Sequence, residues 1–150
     1  MDRTIGFKER RYIEELRILT RATALDCMID ERFERVIYVI KQGDMGLAIG
    51  KKGDNIRRLQ SVLGKKVEMV EFSEDLVQFI SNMFKPAEVT GIEGPDPEGS
   101  VKIVVRQKND LGIAIGKGGT TIEKARLLLR RYHNLEIGDV IVGGGQNAGT

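Results

Sequence analysis

Tryptophan is absent, histidine and cysteine occur once each, and aromatic residues make up only 5% of the 150 residues. Each shortage closes a route. The single Cys27 can form no internal disulfide and no cysteine-based metal cluster, and its neighbours Leu25 and Met28 place it in a strand as plain packing. The single His133 falls near a helix end and reads as a surface or capping group rather than a base. No pair of His, Cys or carboxylate residues has metal-site spacing, so neither a metal nor a cofactor is expected. No apolar run approaches the roughly 18 residues that a membrane-spanning helix needs. The start, MDRTIGFKERRY, is charged where a signal peptide would be apolar. The expectation is a cytoplasmic, monomeric chain with no membrane partner.

Hydrophobic residues at 41% and charged residues at 31% are the composition of a globular protein. The length suits one ordinary domain or two small ones. An internal repeat decides between them: IYVIKQGDMGLAIGKKGDNI from Ile37 recurs as IVVRQKNDLGIAIGKGGTTI from Ile103, 66 residues later. Between Asp44 and Ile56, 8 of 13 positions are identical to their counterparts between Asp110 and Ile122.

Period and punctuation predict the same order of elements in each copy: helix, strand, strand, helix, helix, strand. In the first, apolar Tyr12, Ile13, Leu16, Leu19 and Ala22 have helical spacing. Strands are expected over Ala24–Ile29, Arg35–Ile40 and Val67–Phe72. Asp44 is read as the N-cap of a short helix, Met45–Ile49, and the next helix carries Ile56, Leu59, Val62 and Leu63 to Gly64. In the second copy Ser73 is read as capping a helix that Pro86 ends. Strands follow over Ala87–Ile92 and Val101–Arg106, joined by the turn-rich GIEGPDPEG. Thr120 and Glu123 have capping-box spacing before the Ile122, Ala125, Leu128, Leu129 face, and Leu135–Val142 is the last strand. The expected class is α+β, two-layered, with a three-stranded sheet in each of two domains, 1–72 and 73–142, and a flexible Gly-rich tail, 143–150.

The net charge of +2 conceals a strong pattern. Lys41–Lys66 and Arg106–Arg131 each carry seven Lys/Arg against two Asp/Glu, net +5, so the rest of the chain is acidic. Both basic segments centre on a Gly-x-x-Gly loop, Gly50–Gly53 and Gly116–Gly119. Such an arrangement favours a polyanion at two defined places. Glycine pairs let a phosphate approach the main chain closely, the following helix aims its N-H groups and positive dipole end at the same place, and Lys51, Lys52 and Lys117 add charge. Arg57, Arg58, Lys124 and Arg126 stand on the helices that follow. Ile49, Ile56, Ile115 and Ile122 could floor a groove for bases, with Gly118 as a third glycine in the second loop. The repeated Gly46 and Gly112, inside short helices, are read as positions of close helix packing, with close backbone approach as the alternative.

AIGKKGDNI and AIGKGGTTI resemble the signature of KH domains, in which such a loop clamps about four nucleotides of single-stranded RNA. The helix and strand before each core resemble the type II form, over about residues 8 to 142. The doubled unit, with DMGLAIGKKGDNIRRLQSVLGKKVE and VEFSED, resembles the archaeal NusA-like transcription factors. That resemblance implies a non-enzymatic protein acting in transcription termination or antitermination. It also implies RNA polymerase or transcription complexes as further partners, although 150 residues leave no room for the N-terminal polymerase-binding domain or the S1 domain of bacterial NusA.

Three other readings compete. A phosphate-binding loop of a nucleotide hydrolase needs four residues between its glycines and Ser or Thr after the Lys. Here Gly46–Gly50 and Gly112–Gly116 enclose three, and Lys-Lys or Lys-Gly follows. A ribosome-associated or ribosome-assembly KH protein would share the same loops and differ in its partner. A protein-interaction module with relic loops is disfavoured by the retained lysines.

Overall fold

The computed structural model describes residues 5–143, and the chain divides into two compact units between Ser73 and Glu74. The first opens with α1 (Phe7–Thr20), whose Tyr12 and Leu16 are buried one turn apart. Arg21 takes the left-handed conformation, its N-H donating to Arg17 O, and ends the helix. The buried Thr20 hydroxyl donates to Leu16 O and accepts from the Ala22 N-H, which hands the chain to β1 (Ala24–Asp30).

A turn through Glu31–Glu34 leads to β2 (Arg35–Ile40), which is buried along its whole length, as its unbroken apolar run VIYVI requires. It is followed by α2 (Met45–Ile49), α3 (Asp54–Leu63) and β3 (Lys66–Glu71). The sheet order is β1-β2-β3, with β1 antiparallel and β3 parallel to β2. Alternation puts Val36, Tyr38 and Ile40 in one core with Tyr12, Leu16, Cys27, Ala48, Leu59 and Val67. Cys27 is therefore packing, as expected. The Tyr38 hydroxyl donates to Tyr12 O at 2.8 Å and ties β2 to α1. At the other end of β2 the buried Arg35 guanidinium bonds Asp30 at 2.7 Å and Glu68 at 3.0 Å, joining all three strands.

The second unit repeats the order with α4 (Leu76–Phe84), β4 (Val89–Glu93), β5 (Ser100–Val105), α5 (Lys108–Ile115), α6 (Thr120–His133) and β6 (Glu136–Val142). Its sheet is β4-β5-β6, again antiparallel then parallel. The α+β class and the three-stranded sheets are as expected. Ile103, Val105, Ala114, Ala125, Leu128 and Leu129 are fully buried, and the Phe79 ring of α4 meets Tyr132 of α6 edge-on at 5.4 Å. His133 is exposed at the end of α6, its ring 6.4 Å from that of Phe79. Gly143 continues the ladder by donating to Val105 O. The rest of the expected tail, 144–150, lies outside the described residues.

Three expected caps are corrected. Asp75, not Ser73, caps α4, accepting the Gln78 N-H at 2.9 Å. Thr120 and Glu123 form no capping box, because α6 begins at Thr120 itself, with Gly119 at the cap position, and Glu123 pairs with Arg126. Asp44 precedes α2 without a capping bond and accepts the Thr23 N-H at 2.9 Å. Its counterpart Asp110 lies inside α5, accepts the Gln107 N-H in a capping box and also accepts the Glu88 N-H at 3.3 Å. Thr23 and Glu88 immediately precede β1 and β4. The repeated aspartate thus fastens the start of the first strand to the helix before the loop.

Candidate nucleic-acid interface

Each loop is built by one short helix running into another at a sharp angle, and the backbone angles show why glycine is needed there. Gly50 (φ 79°, ψ 169°) and Gly116 (φ 81°, ψ 164°) occupy a region essentially closed to other residues. A Cβ on Gly50 would also lie 2.8 Å from the Asn55 nitrogen, and one on Gly116 2.7 Å from that of Thr121. The first turn of the following helix therefore folds back directly onto the first loop glycine. Asn55, which sequence reasoning passed over, locks this arrangement by donating from Nδ2 to Leu47 O at 2.8 Å. The only sequence signal for it was its place in the repeat.

The two residues between the glycines, with the second glycine, form a 3-10 turn, Lys51–Gly53 and Lys117–Gly119. Lys52 (φ 55°, ψ 26°) and Gly118 (φ 65°, ψ 15°) share a left-handed conformation at its middle. The N-H of Gly53 donates to Gly50 O and that of Asp54 to Lys51 O; Gly119 and Thr120 do the same with Gly116 and Lys117. These four amides close the turns instead of standing open to a phosphate, a correction to the expectation drawn from the helix starts. What the loops present outward is bare backbone and lysine.

Charge is distributed unequally between the copies. Lys51, Lys52, Arg57 and Arg58 are all exposed, but Arg57 is held by Asp54 at 2.8 Å. In the second copy Lys117 is exposed, Arg126 is paired with Glu123 at 2.6 Å, and Lys124 is only 8% exposed. Lys124 does not reach the loop surface, because the face of α6 that buries Ile122, Ala125, Leu128 and Leu129 carries it inward. Among the described residues, Lys51, Lys52 and Arg58 on one side and Lys117 on the other have no ion-pair partner. Asp54 opens α3, whereas α6 opens on two threonines. The positive end of the helix dipole is thus less masked at the second loop.

The isoleucines divide as well. Ile49 and Ile56 are half-buried, with Ile56 packed on the core, whereas Ile115 is 40% exposed and Ile122 is a core residue. Of the four isoleucines expected to floor a groove, Ile49, Ile56 and Ile115 keep exposed surface and Ile122 is buried. Gly46 and Gly112 are exposed, and a Cβ at either would meet nothing within 4 Å, which overturns their reading as packing positions. Among the described residues no cluster of three or more His, Cys, Asp or Glu could hold a metal, and no helix is long and apolar enough to cross a membrane.

Known proteins are similar to this chain. The KH domain family matches residues 9–74 and again 75–142. The probable transcription termination protein NusA of Halobacterium salinarum is 35% identical over 127 residues, which cover 85% of this chain and 90% of that protein. Its namesake from Methanocaldococcus jannaschii is 32% identical over 142 residues, covering 92% and 70%. The transcription termination/antitermination protein NusA of Thermus thermophilus is 35% identical over 100 residues, but these are only 26% of its length. The crystal structure of APE1850 superposes with a TM-score of 0.78 at 35% identity, covering 93% of this chain and all of that one. With the loop built twice on the same order of elements, and the two archaeal relatives matched over most of their length, the chain belongs to the archaeal NusA-like family of tandem KH-domain proteins.

Proposed function

We propose that this chain is a non-enzymatic protein that binds single-stranded RNA across its two Gly-x-x-Gly loops, and that it acts on nascent RNA in transcription termination or antitermination. The observation that carries the reading is the duplicated loop. Two copies keep the same glycine-only backbone geometry, the same turn and at least one unpaired lysine at its tip, in a chain whose remaining residues are acidic. Glycine clears the approach, lysine supplies counter-charge, and the following helix adds the positive end of its dipole. Ile49 and Ile56, or Ile115, offer apolar contact to bases. Few aromatics fit this mode better than the stacking platforms of other RNA-binding folds. The part played in transcription is drawn from the names of the relatives, and RNA polymerase or a transcription complex is the further partner it implies.

The loops are related but unequal. Three unpaired cations at the first give a mainly electrostatic grip; one lysine, a third glycine and a less masked helix start give a closer, backbone-centred contact at the second. Replacing Lys51 and Lys52 with Asp, and separately Lys117 and Gly118 with Asp, tests the proposal. Circular dichroism should stay native, while affinity for single-stranded RNA falls by at least about tenfold for the first pair. Unchanged affinity in a folded variant would refute the reading.

A further inference from the structure

The end of the first unit away from its loop holds a group that RNA binding leaves unused. Arg35 opens β2 there, beside residues 64–66, which join α3 to β3. The ten residues of α3, about 15 Å, separate this end from the Gly-x-x-Gly turn. The Arg35 side chain is fully buried. Its Nε bonds Asp30 and its Nη1 bonds Glu68, but Nη2, also buried, has no hydrogen-bond partner. Asp30 does not supply one, because its second oxygen accepts the Arg32 N-H at 3.2 Å. A buried guanidinium with one nitrogen unsatisfied is destabilising and needs a reason. The fold is not that reason: in the repeat, 66 residues on, the corresponding place is held by the fully buried Val101.

Arg35 lines a cleft of about 570 Å³, a size that suits a small molecule. Three half-buried residues line it too: Ile29, Phe33, whose ring lies 5.0 Å from the Arg35 guanidinium, and Lys65, which has no ion-pair partner among the described residues. At the exposed rim Glu31 and Glu34 offset Lys8 and Lys66. Positive charge is thus unmatched inside the cleft and balanced at its mouth. That suits one small oxyanion better than a polynucleotide, whose neighbouring phosphates would meet the two glutamates. We infer that this cleft binds a small molecule that carries one oxyanion, phosphate or carboxylate, on an apolar body. The oxyanion accepts charge-assisted hydrogen bonds from Arg35 Nη2 and the Lys65 ammonium, and the body lies against Ile29 and Phe33. Because Nη2 is buried, the Phe33 ring beside it turns aside to admit the anion. The site is separate from both loops and stands whether or not they hold RNA.

Amide NMR titrations of the full chain with phenyl phosphate, and separately with benzoate, test this. At least one probe should shift residues 31–35 and 64–66 and saturate; which one does so names the anion. Lys65→Gln should raise that probe's dissociation constant about tenfold. Arg35→Lys keeps a cation between Asp30 and Glu68 but has no further nitrogen to offer, and should abolish saturation. If that variant does not fold, Lys65→Gln, which lies before β3 and outside the strand junction, decides alone. Failure of both probes to saturate, an unchanged constant in Lys65→Gln, or shifts confined to residues 50–53 and 116–119 overturns the inference. So does a single-stranded RNA that shifts residues 31–35 and 64–66 while the small anions do not, since this face would then belong to the path of the polynucleotide.

Discussion

Gly50 and Lys52 lie two residues apart in one loop and should respond to substitution differently. Gly50 combines a glycine-only backbone with a Cβ position 2.8 Å from the Asn55 nitrogen, so Gly50→Ala should destabilise the fold by about 2 kcal/mol. Lys52 is a non-glycine residue in the left-handed region, which costs it about 1 kcal/mol. Lys52→Gly relieves that strain, at an entropic cost of about 0.5–1 kcal/mol in the unfolded chain, and should leave stability nearly unchanged. Urea unfolding of the two variants checks the loss at Gly50 and the near-neutral change at Lys52. The second loop already has glycine at this place. Glycine spacing and lysine placement were legible in the sequence because loop chemistry depends on residue type at fixed offsets. The pairing of Arg57 and Arg126 and the burial of Lys124 were not. They depend on how far each helix is rotated about its axis, which the repeat alone does not specify.

Strand β2 shows what is legible at the scale of an element. Its bounds, Arg35–Ile40, coincide with the β-branched run, and those of α2, Met45–Ile49, with the segment between Asp44 and the first loop glycine. Caps were less legible, because a cap is a hydrogen bond whose donor can shift by one or two residues without changing the pattern. Asp44 and Asp110 illustrate this: Asp44 makes no capping bond, Asp110 joins a capping box from inside α5, and both hold a strand start. The attachment of β2 to α1 gives a prediction at this scale. Burial, with smaller contributions from Cys27, Tyr12 and Glu15, raises the Tyr38 phenol well above its ordinary 10.0. The folded state thus favours the neutral form, and Tyr38 contributes stability that is complete below pH 10 and declines as the pH rises above it. Tyr38→Phe should cost about 1 kcal/mol at neutral pH through loss of the bond to Tyr12 O. It should also make the alkaline decline shallower. Denaturant unfolding of both proteins across that range measures the difference; equal alkaline slopes would assign the decline to other groups.

At the scale of the whole molecule, duplication and charge point the same way. A chain of net charge +2 concentrates +5 in each of two segments that fold around matching loops, the pattern on which the proposed binding of a polyanion at each loop rests. The two-unit architecture was legible because a repeat is visible in any chain that keeps it, and the matches of the KH domain family to both halves agree with it. The inequality of the loops emerged only when ion pairs could be assigned. Salt dependence reads that inequality directly, because each phosphate neutralised on a single strand contributes about −0.7 to the slope of log K against log salt. The most direct measurement is therefore this slope for wild type, for Lys51→Gln/Lys52→Gln and for Lys117→Gln, on the same single-stranded RNA. Two engaged loops predict a slope shallower than wild type by about 1.4 in the first variant and about 0.7 in the second. Slopes identical to wild type in both folded variants would contradict the claim that the Gly-x-x-Gly loops hold the RNA.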